Sequence, residues 1–224
     1  MLGAAAVAIW CEVAPGIRDE FDDWHTHEHM PERLGIPGFL RGSRWVSADA
    51  RGGYFMLYEV AGLDTLTSKL YLARLNDPTP WSRKMMPHHQ GMVRSLGAVR
   101  SAFGAGLADA MLTIRFSPNP EAPEQLIQWL SAELLPKLPM HKGLVGAHLL
   151  QDAASTQAAP TVEQRMRGGD KAADWIVLVN GYGTDAVAGL AAAELNEAAL
   201  VAEGAAPGSI ARIYRLAYTL AGGP

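Results

Sequence analysis

Short apolar runs alternate with longer amphipathic segments along the chain, and their order predicts a mixed α and β structure. The apolar run at residues 7–13 has the length of a buried strand, and residues 17–30 carry apolar side chains at helical spacing. The rest of the first half predicts strands at residues 39–46, 54–60 and 94–103 and a helix at residues 66–75.

The second half of the chain repeats this order. Its apolar and amphipathic segments predict strands at residues 111–116, 144–150, 175–179 and 212–220, and helices at residues 123–135 and 185–202. Each half therefore has the order strand, helix, strand, strand, helix, strand.

The two halves also match residue by residue at a constant offset of 105 positions. Trp24 is equivalent to Trp129, and Glu28 to Glu133. The other matched pairs are Pro15 and Pro120, Pro31 and Pro136, Gly38 and Gly143, and the strand residues Val7, Ile9 and Cys11 with Leu112, Ile114 and Phe116. Since most of these residues form turns or pack as aromatic groups, we interpret the match as a diverged internal duplication.

The βαββαβ order predicts a four-stranded antiparallel sheet with both helices on one face, the ferredoxin-like arrangement. Two such sheets in one chain can cover each other's open faces. We therefore predict an α+β fold with two tandem ferredoxin-like βαββαβ repeats whose antiparallel sheets pack into an α+β barrel. The glycines around residue 105 mark the boundary, so an N-terminal repeat (1–105) carries the site and a C-terminal repeat (106–224) is mainly scaffold.

Two connections interrupt the symmetry of the halves. Residues 151–173 lengthen one hairpin of the second half and are expected to form a mobile loop. Residues 76–89 mix prolines with Trp, Met and His, which fits either a flap over a pocket or a packed loop. Either connection could cover a site.

The first predicted helix carries three of the chain's seven histidines. At 100° per residue, His25 and His29 lie along one flank of the face that bears Phe21 and Trp24. Pro31 cannot donate a backbone hydrogen bond, so the helix is predicted to end or kink just after His29. Two imidazoles beside an apolar aromatic face are typical of the wall of a small-molecule pocket.

This helix and the turn after it resemble the EthD-like family of the dimeric α+β barrel superfamily. The residues that match the family's pattern at its spacing are Phe21, Trp24, His29, Pro31, Pro37 and Gly38. The resemblance implies lyase, dehydratase, cyclase or isomerase activity on aromatic, polyketide-like or lactone substrates, commonly without a cofactor. Relatives in the wider superfamily include quinone-forming monooxygenases and haem-binding or haem-degrading proteins.

Polar positions that differ between the two halves point to function. His25 and His29 are equivalent to Leu130 and Leu134, so the same flank is imidazole in one half and leucine in the other. Leucine there implies burial, and burial lowers the pKa of an imidazole, which keeps a neutral base available near pH 7. We therefore predict that His29 and His25 are catalytic.

Seven further residues are predicted to contact the substrate: Phe21, Trp24, Glu28, Arg44, Tyr58, Trp81 and His88. Arg44 would hold a carboxylate or enolate, and Tyr58 would donate to a substrate oxygen. Since the second half retains an equivalent of Glu28, a structural hydrogen bond is an equally open role for this carboxylate.

The predicted function is that of a small-molecule enzyme in which histidines act as general acid and base without a cofactor. The alternative is a protein that binds haem or an aromatic metabolite, or a haem- or quinone-type monooxygenase. The spacing of His25 and His29, with His88 or His89, also fits zinc. However, the sequence departs from the zinc-protease motif. We therefore predict no cofactor and no metal, with haem and zinc as the alternatives.

Composition narrows the class of partner. The net charge is −4 without a basic stripe, so we predict no nucleic-acid partner and no membrane partner. The single cysteine, Cys11, suits a reducing compartment and core packing, and no stretch is apolar enough to span a bilayer. We predict a cytoplasmic protein, either a monomeric pseudo-dimer or a homodimer, whose partner is a small-molecule substrate.

Overall fold

The computed structural model describes residues 1–49, 52–121, 123–153 and 160–223. Its strands are β1 (Ala5–Glu12), β2 (Phe39–Ser47), β3 (Gly53–Val60), β4 (Gln90–Phe103), β5 (Ala110–Phe116), β6 (Leu144–Asp152), β7 (Trp175–Gly181) and β8 (Ile210–Ala221). Its helices are α1 (Arg18–Trp24), α2 (Met30–Leu34), α3 (Lys69–Asn76), α4 (Pro80–Met85), α5 (Pro123–Gln128), α6 (Val162–Met166), α7 (Thr184–Ala192) and α8 (Glu197–Ala202).

The strands form a closed antiparallel barrel in the order β1-β3-β2-β8-β5-β7-β6-β4. Each half contributes four consecutive strands, β4-β1-β3-β2 and β8-β5-β7-β6, which is the same order. The halves join where β2 pairs with β8 and where β4 pairs with β6. This topology confirms the predicted α+β barrel of two tandem ferredoxin-like repeats.

Strand alternation divides the core into layers. On β1, Ala6, Ala8 and Trp10 point into the barrel, where they pack with Phe55 and Leu57 of β3. The other face of these two strands packs against the helices of the first half. The second half has a separate core between its own helices and the sheet. Because both faces of the sheet are covered, every residue of β3 is buried.

The first helix was predicted to end or kink just after His29, but it continues beyond this residue. A π-helical turn over His25–His29 follows α1, and its hydrogen bond runs from the Met30 N–H to the His25 carbonyl. This wider turn shifts the hydrogen-bond register, so Pro31 falls in the first turn of α2, where a missing N–H costs little. The second half has a π turn at the equivalent place, Trp129–Leu134. The helical rod therefore continues to Leu34.

Several predicted boundaries also differ. The predicted helix at 185–202 is two helices, α7 and α8, and the predicted loop at 76–89 contains α4. The predicted mobile loop at 151–173 contains α6, while residues 154–159 lie outside the described part of the chain. Within the described residues, no helix is both long and apolar enough to cross a membrane.

Candidate active site

A small, mostly enclosed cavity lies between the helices of the first half and the outward face of its sheet. Its volume is about 30 Å³, which is room for about one or two water molecules. The polar side chains that line it are His25, His29, Arg33, Tyr58, Tyr71, His89, Arg94, Glu163 and Arg167. Apolar side chains, among them Val7, Ile9 and Met86, complete the wall.

The two predicted catalytic histidines lie together in this wall, with ring centroids 5.7 Å apart. The Tyr58 hydroxyl and Nε2 of His25 share a hydrogen bond of 3.0 Å. The ring of His29 packs on Trp24, with centroids 4.5 Å apart, and makes no hydrogen bond to the described residues. The imidazole of His29 is therefore not engaged by the described part of the protein at either ring nitrogen and is free to exchange a proton with a bound molecule.

A third histidine completes the cluster. His89 is buried, its Nδ1 donates to the Met86 carbonyl oxygen at 3.1 Å, and its ring stands edge-on to Phe21 at 5.2 Å. Because Nδ1 carries the donated proton, Nε2 of His89 is left with its lone pair. The structure thus places His89 on the cavity, whereas the predicted substrate contact His88 does not line it.

Burial keeps these imidazoles neutral. Loss of solvation lowers the pKa of His25 and His29 well below the ordinary value, and nearby arginines lower it further. Burial, helped by Arg167, lowers the pKa of His89 to about 4. Burial also raises the pKa of the Tyr58 hydroxyl, so this group stays protonated. At neutral pH the cavity therefore presents neutral bases and a neutral hydroxyl donor.

Three arginines bring positive charge to the same cavity. Arg33 pairs with Glu163, which also lies 3.6 Å from Arg167. Arg167 in turn pairs with Asp170 at 2.9 Å. Arg94 donates to the Tyr71 hydroxyl at 2.9 Å. Since Arg33 and Arg167 are paired with carboxylates, Arg94 carries the positive charge that no described carboxylate compensates, which favours a ligand that carries or develops negative charge.

The second half supplies the cover of this cavity. Glu163 belongs to α6, Arg167 follows it, and both come from the long connection between β6 and β7. A capping box at Thr161 fixes the start of α6, and the Arg33–Glu163 ion pair ties it to α2. The C-terminal repeat thus contributes side chains to the site, in addition to serving as scaffold.

The predicted aromatic residues stand behind the cavity. Phe21 and Trp24 are fully buried and pack on the histidine rings, but they do not line the cavity. The Trp24 indole N–H donates to the Ser82 hydroxyl at 3.2 Å, which fastens the helix to α4. These two side chains therefore position the histidines in this closed form of the protein.

Four other predicted contacts lie away from the cavity. Glu28 accepts from Thr79 at 2.5 Å and from Ser82 at 3.3 Å, so its carboxylate joins two helices. Arg44 donates to the Asp22 carbonyl oxygen at 2.9 Å and joins β2 to α1. Neither residue lines the cavity, and the same holds for the half-buried side chains of Trp81 and His88.

The sequence analysis missed most of the charged lining, namely Arg33, Arg94, Glu163 and Arg167. A signal existed for Arg33, because residues 25, 29 and 33 form one stripe at four-residue spacing. The helix was predicted to end or kink just after His29, so the stripe was not followed to Arg33. Glu163 and Arg167 lie in a connection that has no counterpart in the first half, so the duplication could not indicate them.

Metal and haem fit this cavity poorly. In the described part of the chain, no three His, Cys, Asp or Glu side chains are placed to bind one metal ion. With a volume of about 30 Å³, the cavity holds neither a haem macrocycle nor an aromatic ring unless its cover moves. The lining also sets three arginines beside the histidines, which suits an anion better than a cation.

Known structures share this fold, although no protein-family model and no curated protein matches the sequence. An anthrone oxidase-like protein superposes with a TM-score of 0.67 at 12% identity, covering 100% of this chain and 95% of that chain. A candidate monooxygenase from Fusobacterium nucleatum gives a TM-score of 0.64 at 9% identity, covering 100% and 97%.

A mutant chlorite dismutase from Candidatus Nitrospira defluvii is also similar. It gives a TM-score of 0.56 at 10% identity, covering 97% of this chain and 92% of that chain. These likenesses extend over the whole barrel and support the fold class. Membership of the EthD-like family stays a prediction.

Proposed function

We propose that this chain is an enzyme that removes a proton from a carbon activated by a carbonyl group in an aromatic small molecule, with His29 as the base. The observation that carries the proposal is the buried imidazole of His29, which has no hydrogen-bond partner among the described residues and lines a cavity with three arginines. No cofactor is needed for this step.

The side chains divide the reaction between them. A ring nitrogen of His29 accepts the proton, and the electron pair of the broken C–H bond moves onto the carbonyl oxygen. The arginines stabilise the resulting enolate, and Tyr58, held by His25, can donate a hydrogen bond to it. The enolate in turn raises the pKa of the buried imidazole, so proton transfer becomes favourable only when the substrate is bound.

Substrate entry requires α6 to move, because about 30 Å³ cannot hold an aromatic ring. The contacts that hold α6 over the cavity are the ion pairs of Glu163 with Arg33 and Arg167. A ligand that carries negative charge competes with Glu163 for these arginines.

Deuterium exchange tests the proposal directly. Anthrone is incubated with the protein in D₂O under argon, and the loss of its methylene proton signal is measured by NMR. This loss reports proton removal without oxidation. We expect the parent protein to accelerate this exchange over buffer, and His29→Ala to lower the protein-dependent rate by roughly 10²–10⁴-fold. Equal rates for the parent protein and His29→Ala would remove His29 from the mechanism.

A second candidate function is oxidation of the same carbanion by dioxygen. Whole-chain likeness to an anthrone oxidase-like protein favours it. Anthrone and O₂ would give anthraquinone and water, with four electrons passing from the substrate to O₂. Oxygen uptake with anthrone supports this oxidation. Deuterium exchange without oxygen uptake supports proton removal alone. A Soret band in the purified protein supports the haem-binding alternative.

A further inference from the structure

Arg94 is the one guanidinium of the cavity that has no carboxylate at ion-pair distance within the described residues. It is buried, with 7% of its surface exposed, and its side chain donates only to the Tyr71 hydroxyl. By contrast, Arg33 pairs with Glu163, and Arg167 pairs with Asp170. A buried cation without a counter-charge is costly unless a ligand supplies that charge.

The fold itself does not require an arginine at this position. Ile9 pairs with Met56 on one side and with Arg94 on the other. The equivalent of Ile9 is Ile114, which pairs with Val177 and with Ala211. The equivalent position in the second half is an exposed alanine beside the open side of that half, so the strand pairing alone does not require an arginine at residue 94.

A second polar group beside Arg94 makes no hydrogen bond within the described residues. Arg33 lies over the Tyr71 ring at 5.9 Å, and its buried Nη1 has only the Glu32 carboxylate nearby, at 3.9 Å, which is too far for a hydrogen bond. Tyr71 thus stands between two guanidinium groups, one over its ring and one at its hydroxyl. An anionic oxygen placed here would find donors from both arginines.

We propose that the cavity takes an aromatic acid, whose anionic group binds to Arg94 and to Nη1 of Arg33. This proposal rests on the proposed function, because it names the substrate class of the same cavity. Tyr58 and Arg94 lie on the two strands that flank β1, two residues apart along it. With ~4.8 Å between strands and ~3.4 Å per residue, their Cα atoms are about 12 Å apart, so the hydroxyl donor and the guanidinium approach the cavity from opposite sides of β1.

A matched pair of probes tests the proposal without using activity. Salicylate carries the anionic group, and salicylamide is its neutral analogue. Their dissociation constants are measured by calorimetry for the parent protein, for Arg94→Met and for Arg100→Met, which alters an exposed arginine of the same strand. We expect the parent protein to bind salicylate at least tenfold more tightly than salicylamide.

We expect Arg94→Met to weaken salicylate binding at least tenfold and salicylamide binding less than threefold, and Arg100→Met to change neither. Calorimetry measures binding without turnover, so a failure of the proposed catalysis would not imitate a failure of the anion site. The proposal is overturned if the parent protein shows no preference for salicylate, or if Arg94→Met retains the preference. If Arg94→Met does not fold, loss of the preference in Arg94→Lys/Arg33→Lys, which keeps both charges, would overturn it equally.

Discussion

The two halves share one backbone arrangement and differ in what fills the space between helices and sheet. Strand register and the offset of 105 residues identify equivalent positions. In the first half five of them are polar, and in the second half all five are apolar: His25 and Leu130, His29 and Leu134, Arg33 and Leu138, Tyr58 and Val179, Arg94 and Ala211. Since the fold forms with either set, the fold alone does not require the polar set, which is consistent with the proposed site in the first half.

The hairpin connections of the two halves extend this contrast. The long connection of the second half places α6 over the first half and seals a cavity of about 30 Å³. The short connection of the first half ends beside the second half, where Ala48, Leu112 and Ala211 line an open groove of about 600 Å³. The predicted burial of the leucine flank holds for Leu130, which is fully buried, but Leu134 is only half-buried. The sealed cavity needs both the polar lining and the long connection.

The largest effect is expected from the ion pair that closes the cavity. Glu163→Ala leaves Arg33 buried without its main counter-charge, so we expect the free energy of unfolding to fall by about 3–5 kcal/mol. Arg33→Leu combined with Glu163→Leu imitates the leucine of the second half and should recover most of that loss. Denaturant unfolding of the single and double variants measures both. A double variant as unstable as Glu163→Ala would show that the halves are not interchangeable at this point.

Acid should lower the free energy of unfolding, because the buried histidines of the first half are neutral in the folded protein. The pKa of His89 is about 4 in the folded protein and about 6.5 when unfolded. The unfolded state therefore binds more protons between these values, and stability falls as the pH drops from about 6.5 to about 4. For His89 alone the loss by pH 4.5 is about 2–3 kcal/mol.

We expect His89→Leu to flatten this part of the curve of unfolding free energy against pH by that amount. His27→Leu is the control, because His27 is exposed. If the His89→Leu curve is parallel to that of the parent protein, the His89 imidazole is not neutral in the folded state.

The reverse exchange should damage the apolar half without creating a site. Leu130 is fully buried in the second core, so Leu130→His should lower the free energy of unfolding by about 2–3 kcal/mol. Leu134→His should cost less, because this side chain is only half-buried. Neither variant should increase deuterium exchange into anthrone. Thermal melts and the exchange assay measure both effects, and a gain of exchange would contradict the assignment of the site to the first half.

The smallest effect is expected at the acidic residue that both halves retain. Glu28 joins two helices through Thr79 and Ser82, whereas Glu133 is exposed. Glu28→Gln should lower the free energy of unfolding by about 1 kcal/mol and leave the anthrone exchange rate nearly unchanged, and Glu133→Gln should change neither. A large loss of exchange in Glu28→Gln at normal stability would give this carboxylate a chemical role.

The architecture was predictable because the duplication gave two independent copies of one strand order. The histidine pair was predictable for the same reason, since only one copy carries it. The charged residues of the cavity lining could not be predicted, because their positions depend on features that local sequence patterns do not encode. Arg33 requires the helix to pass Pro31 through a π turn, and Arg94 requires the pairing register of β1 with β4. Glu163 reaches the cavity from the C-terminal repeat, where it pairs with Arg33.

His29→Leu gives the most direct test of the central claim that the first half carries a functional polar lining on a fold that does not need it. The variant installs the residue of the second half at the proposed base, and its melting temperature and anthrone exchange rate are measured beside those of His27→Leu. We predict a melting temperature equal to or above that of the parent protein, with protein-dependent exchange lowered by roughly 10²–10⁴-fold. A variant that melts well below the parent protein, or that retains full exchange, would contradict the account.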